Sequence, residues 1–174
     1  MNNTPVANRL HIAIFGRRNA GKSTLINAIT GQDIAVVSNI PGTTTDPVYK
    51  TMELLPLGPV VIIDTAGIDD FGDLGNLRVE KTYDVLRKTN FAIFVFDAQE
   101  GITESDKNFL QEIKNRKVSL IAVLNKSDKI KTGSYSVDEY EKELGVPVCE
   151  VSAQYRTGIE ELKQLIAKHA KFDE

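Results

Sequence analysis

Residues Gly16-Arg17-Arg18-Asn19-Ala20-Gly21-Lys22-Ser23 set two glycines, a lysine and a hydroxyl at the spacing that a bound polyphosphate requires. The string follows a short apolar run, Leu10 to Phe15, and leads into helix-forming sequence, Ser23-Thr24-Leu25-Ile26-Asn27-Ala28-Ile29. Glycines at both ends let the backbone curl, so that N–H groups of Asn19, Ala20, Gly21, Lys22, Ser23 and Thr24 turn toward one anion. Lys22 adds a point charge near the β- and γ-phosphates, and the Ser23 hydroxyl is a Mg²⁺ ligand. The first turn of the helix offers unpaired N–H groups and a positive dipole end to the same anion. The competing reading of the string alone is a chance Gly-rich turn.

Other segments weigh against chance. Asp64-Thr65-Ala66-Gly67 ends an apolar run; Asp64 can hold Mg²⁺ through its hydration shell, and Gly67 can bring a backbone N–H against a γ-phosphate. In Asn125-Lys126-Ser127-Asp128, the Asp128 carboxylate can accept two N–H bonds from the edge of guanine. Adenine has no matching donor pair, and would leave that carboxylate unsatisfied. Asn125 can tie this loop to the phosphate loop, and the Lys126 stem can cover the face of the base. Ser152-Ala153-Gln154 offers a backbone N–H to the guanine O6. Pro41-Gly42-Thr43-Thr44-Thr45-Asp46 lies in a long connection where a threonine could reach Mg²⁺ and the γ-phosphate once that phosphate is present.

These motifs need a scaffold that gathers them. Strands are expected at Leu10–Phe15, Val48–Leu54, Val60–Asp64, Phe91–Asp97, Ser119–Leu124 and Val146–Val151. Most are near-continuous apolar runs, as parallel strands buried on both faces should be. Val48–Leu54 alternates instead, and only Leu55-Pro56-Leu57-Gly58-Pro59 separates it from the next strand. It should form a hairpin and run antiparallel at an edge. Helical periodicity marks Leu77–Thr89 (Val79, Tyr83, Leu86), Glu104–Lys114 (Phe109, Leu110, Ile113) and Ile159–His169 (Ile159, Leu162, Leu165, Ile166). The expectation is a doubly wound α/β domain over residues 10–174 behind a flexible segment, 1–9, with ligand loops at the carboxyl ends of the strands.

Composition is that of one ordinary soluble domain: 174 residues, 41% hydrophobic and 26% charged, with a formal net charge of −3. Charges of both signs are interspersed, so no basic face announces a nucleic acid, and nucleic acid is not expected as a partner. Cys149 is the one cysteine, which excludes an internal disulfide and a cysteine-built metal cluster. Met1 to Asn8 has no apolar core of a signal peptide, and no apolar stretch reaches membrane-spanning length. A cytoplasmic setting without membrane contact is expected.

Together the five motifs resemble those of the Ras-like P-loop GTPase superfamily, and they extend over essentially the whole chain. The resemblance implies a three-layer fold, a six-stranded mostly parallel sheet with one antiparallel edge strand and helices on both faces. It implies GTP and GDP as ligands, Mg²⁺ held by Ser23, Thr44 and, through water, Asp64, and hydrolysis of GTP with Lys22, Thr44 and Asn19 in catalytic roles. Ile68 stands where many such proteins carry a water-orienting glutamine, so hydrolysis must be helped otherwise. Arg17-Arg18-Asn19-Ala20 resembles the loop of potassium-activated members, such as the tRNA-modification GTPases. By that resemblance Asn19 and the carbonyls of Ser38 and Ile40 would hold K⁺ against the phosphates, and a second G domain could face the first across the nucleotide. Asp69, Asp70 and Asp73 read most simply as solvated loop carboxylates.

Three stretches narrow the resemblance: Thr43-Thr44-Thr45-Asp46-Pro47-Val48-Tyr49-Lys50, Leu57 to Asp64, and Leu77-Arg78-Val79-Glu80-Lys81-Thr82. They are similar to the GTPase domain of the HydF family, scaffolds in the assembly of the FeFe-hydrogenase active-site cluster; relatives in tRNA modification and ribosome assembly typically carry arginine at the place of Thr45. This reading implies a G domain excised from a longer protein. Hydrogenase and other maturation proteins would be partners through absent domains, and Cys149, His11 and His169 could hold no iron–sulfur cluster in this chain. The alternatives are an RNA-, ribosome- or tRNA-modification-associated GTPase, a slow GTP-binding module that needs a partner, and a membrane-linked iron-transport G domain.

Overall fold

The computed structural model describes residues 9–16, 20–31, 47–65, 75–126 and 137–170, with the side chains of 75–80 outside that description. Six strands, β1 (Leu10–Gly16), β2 (Val48–Leu54), β3 (Gly58–Asp64), β4 (Phe91–Asp97), β5 (Ser119–Asn125) and β6 (Val148–Glu150), form one sheet in the order β2-β3-β1-β4-β5-β6. Five pairings hold it: β1 with β3 and β4, β4 with β5, and β5 with β6 run parallel, while β2 runs antiparallel to β3. The sequence predicts this edge hairpin, because β2 shows water one face: Tyr49, Thr51 and Glu53 are exposed and Leu54 is buried. The central strands β1, β4 and β5 are buried almost end to end, as their continuous apolar runs require.

Alternate residues of each strand feed opposite faces. Leu10, Ile12 and Ile14 pack with Leu25 and Ile26 of α1 (Lys22–Thr30) and with Ile159, Leu162 and Ile166 of α5 (Ile159–His169). Ala13 and Phe15 pack on the other side with Val85 and Leu86 of α2 (Gly75–Lys88), Leu110 and Ile113 of α3 (Glu104–Asn115), and Tyr140 and Leu144 of α4 (Val137–Leu144). Phe109 stands edge-on to Phe15, with ring centroids 5.1 Å apart. The result is the expected three-layer α/β sandwich.

Some boundaries differ from the sequence reading. β6 is only Val148–Glu150, shorter than the expected Val146–Val151, because its pairing with β5 covers just Ala122↔Val148 to Leu124↔Glu150. Helix α2 begins at Gly75, two residues before the expected Leu77, and ends at Lys88, where the Thr89 hydroxyl turns back to the Val85 carbonyl at 2.7 Å. Helix α4 leaves no clear mark in the sequence: its eight residues bury only Tyr140 and Leu144, too short a stripe to stand out. A reciprocal cap starts α3: Asp106 N–H donates to the Thr103 hydroxyl at 3.3 Å, and Thr103 N–H donates to the Asp106 carboxylate at 3.0 Å.

Candidate functional site

Parallel register brings the carboxyl ends of β1, β3, β4 and β5 to one edge of the sheet: Ile14 pairs with Asp64, Gly16 with Val95, and Asp97 with Asn125. The loops that leave these ends carry the motifs. Gly16 closes β1 at φ 150°, and a Cβ there would collide with the Val95 carbonyl. Gly21 caps α1 in the left-handed region, φ 89° and ψ 30°, which only glycine enters freely. A side chain at Gly21 would also strike the Asn125 amide. Gly16 is therefore required by the close approach of a neighbouring backbone and Gly21 by that of a side-chain amide, each as well as by conformation.

Lys22 is the first residue of α1 and is 3% exposed. Its Nζ donates to the Gly16 carbonyl at 2.6 Å, so the lysine spans the phosphate loop from end to start. Ser23 and Thr24 follow on the first turn with exposed side chains, and no side chain caps the helix. Asp64 ends β3, 4% exposed. Next to it the buried Thr65 hydroxyl donates to the Ile14 carbonyl at 2.5 Å, pinning the start of that loop to β1. A hydroxyl and a carboxylate are the hard oxygen donors Mg²⁺ prefers, and the glycine-lined cradle suits a phosphate; the residues present fit both groups. Among the described residues no three or more His, Cys, Asp or Glu gather as a metal cage.

Asn125 joins the two halves of the site. It ends β5 buried at 2% exposure, its Nδ2 donates to the Ala20 carbonyl at 2.8 Å, and its Oδ1 accepts the Ala153 N–H at 3.0 Å. One side chain thus links the phosphate loop to the loop after β6. That second loop is closed by a two-way bridge between Ser152 and Thr157, with bonds of 3.0 and 3.1 Å. Ser152 and Ala153 are buried and Gln154 is exposed. Lys126 enters the next loop at φ 63° and donates from Nζ to Asp97 Oδ2 at 2.9 Å.

Asp97 and Thr65 carry roles that motif reading alone does not reveal. Burial pushes the Asp97 carboxyl up, but the Lys126 hydrogen bond, the Gln99 N–H and the lysine charge outweigh it and hold the group below the ordinary aspartate range. The visible signal would have been an aspartate ending an apolar strand beside the strand that carries Lys126. Asn19, Ser38, Ile40, Thr44, Gly67, Ile68 and Asp128, assigned to phosphate, K⁺, Mg²⁺, hydrolysis or guanine, lie outside the described residues, as does segment 1–8.

Comparison with known proteins agrees with this geometry. Residues 11–126 match the family described as 50S ribosome-binding GTPase. GTPase Der of Bartonella tribocorum is 36% identical over 160 residues, covering 90% of this chain and 33% of that protein. The chain therefore spans about a third of the length of the curated relatives it matches. A crystal structure of Era in complex with MgGDPNP and nucleotides 1506–1542 of 16S ribosomal RNA superposes with a TM-score of 0.78 at 29% identity, covering 96% of this chain and 58% of that one. The G domain of the T. maritima FeoB iron transporter superposes with a TM-score of 0.70 at 27% identity, covering 94% and 99%. These matches single out no hydrogenase-maturation protein. With glycines at the end of β1 and at the start of α1, and its sequence matched from β1 to Lys126, the chain belongs to the 50S ribosome-binding GTPase family as a P-loop G domain.

Proposed function

We propose that residues 10–174 act as a GTP-hydrolysing switch of the ribosome-associated kind, in the cytoplasm. The observation that carries the reading is the Asn125 side chain, which bonds both the phosphate loop and the loop after β6 and so supports one site spanning a whole nucleotide. Lys22, freed from the Gly16 carbonyl by an arriving phosphate, would place its charge on the β- and γ-oxygens. The N–H groups of the first turn of α1 would meet the β-phosphate, and Ser23 and Thr44, with Asp64 through water, would hold Mg²⁺, which neutralises charge on the phosphates. Gly67 would donate its N–H to the γ-phosphate. Asp128 would read the guanine edge, with Lys126 over the base face and the N–H groups of Ser152, Ala153 and Gln154 near O6.

Because the Ile68 side chain has no hydrogen-bonding group to aim a water, charge stabilisation has to come from elsewhere, and Asn19 with the carbonyls of Ser38 and Ile40 would supply it by holding K⁺. Two G domains facing each other across the nucleotide would order that ion. GTP hydrolysis measured with Mg²⁺ in KCl and in NaCl at equal ionic strength tests this. Several-fold stimulation by K⁺ that disappears in Asn19→Ala is expected; equal turnover in both salts rules the potassium role out.

The ribosomal assignment follows the matched family and the complex of Era with 16S ribosomal RNA, and it makes ribosomal RNA a proposed partner despite the net charge of −3. The second reading, a switch in FeFe-hydrogenase maturation, is favoured by Thr45 within Thr43 to Lys50. Deleting the gene separates them. Altered ribosomal subunit profiles support the first; loss of hydrogenase maturation with normal profiles supports the second.

A further inference from the structure

β4 ends in a buried carboxylate, Asp97, whose two oxygens serve different partners. Oδ1 accepts the Gln99 N–H at 2.7 Å and closes the turn that leaves the strand. Oδ2 accepts from Lys126 Nζ at 2.9 Å, and Asp97 is 6% exposed against 30% for the lysine. The backbone repeats the link, for Ala98 N–H donates to the Asn125 carbonyl at 2.9 Å. Lys126 begins its loop in a left-handed conformation uncommon for a residue with a side chain. Its Cε lies 3.9 Å from where a Cβ on Gly21 would stand. The stem therefore runs from the end of β5 past the last glycine of the phosphate loop, with its tip anchored on β4.

Resting on the guanine-site reading above, we propose that Asp97 is a positioning residue that holds the Lys126 side chain extended, as a ready-made surface for the face of the base. A lysine stem has four rotatable bonds, and freezing them on ligand arrival weakens binding. Anchored to Asp97, the stem has lost that freedom before the nucleotide comes. The anchor acts on the base face and leaves edge recognition to Asp128, so it governs affinity rather than discrimination between guanine and other bases.

Asp97→Asn tests the idea, because an amide offers one acceptor oxygen where Lys126 and the backbone N–H groups of Gln99 and Glu100 all draw on the carboxylate. The backbone N–H of Gln99 is fixed in its turn, so the mobile lysine is the donor released. Titration of the full chain with a fluorescent GDP analogue and Mg²⁺ should show binding about tenfold weaker than wild type, a change of about 1.4 kcal/mol. Lys126→Met should also weaken binding, and adding Asp97→Asn to it should bring no further loss. A merely structural aspartate would weaken the Lys126→Met variant again. Unchanged affinity in Asp97→Asn, or losses that multiply in the double variant, overturns the proposal. If Asp97→Asn fails to fold, Asp97→Glu serves in the same cycle, with an intermediate affinity expected alone and no effect beside Lys126→Met. Wild type is the control: failure to bind GDP refutes the nucleotide site itself, whereas normal wild-type binding with an unaffected variant refutes only the anchor.

Discussion

Two hydrogen bonds from one buried amide make Asn125 the most exposed weakness of the site at the scale of single residues. Asn125→Ala would orphan the Ala20 carbonyl and the Ala153 N–H, each at a cost of about 1–3 kcal/mol if water does not enter. Loss of stability by chemical denaturation and at least tenfold weaker GDP binding are expected together. Gly21→Ala should be worse for binding, since the new methyl meets that same amide at a φ of 89°. The pH dependence of Asp97 has a definite sign. Its folded pKa is depressed, so its contribution to stability is complete above the ordinary value of 3.8 and lost as pH falls through the lower folded value. The gap in melting temperature between wild type and Asp97→Asn should therefore narrow in acid below that point. Lys22 and Asn125 were legible from their motifs because spacing along the chain defines them. Asp97 and Thr65 were not, because their partners lie 29 and 51 residues away, and only strand register brings them together.

Elements with a continuous apolar run or a long stripe were readable from local pattern: β1, β4 and β5, the β2–β3 hairpin, and helices α3 and α5. Helix α4 escapes local pattern because two buried side chains four residues apart define no period, and the apolar run at β6 outlasts the strand because the valines on either side of it, Val146 and Val151, are buried too. The Thr103 cap is a contribution of α3 that can be measured alone. Thr103→Ala should destabilise the fold by about 1 kcal/mol in urea unfolding, whereas Thr103→Ser should hardly matter. On β6, burial together with the carboxylates of Glu161 and Glu150 pushes the Cys149 thiol up to about 11. At pH 8 a disulfide reagent should thus react with Cys149 only as fast as the protein opens, and immediately once denaturant is added.

At the scale of the molecule, one sheet carries two separate apolar layers, so damage to either should be felt by the whole. Leu162→Ala on the α1–α5 side and Phe15→Ala on the α2–α4 side leave cavities at positions with no exposure, worth about 2–5 kcal/mol each. Both variants should unfold in one cooperative transition seen alike by circular dichroism and by Cys149 reactivity. The three-layer architecture itself was legible from the alternation of strand and helix patterns, because the parallel rule leaves few ways to connect them. The β2–β3 hairpin adds a practical consequence. Its turn, with Leu55 at 69% exposure, projects from the end of the sheet opposite the strand ends that bear Lys22 and Asn125. A fluorescent or affinity tag spliced between Leu55 and Gly58 would report on the domain from outside its working face, and chain termini rejoined elsewhere could be reopened there without touching the ligand loops.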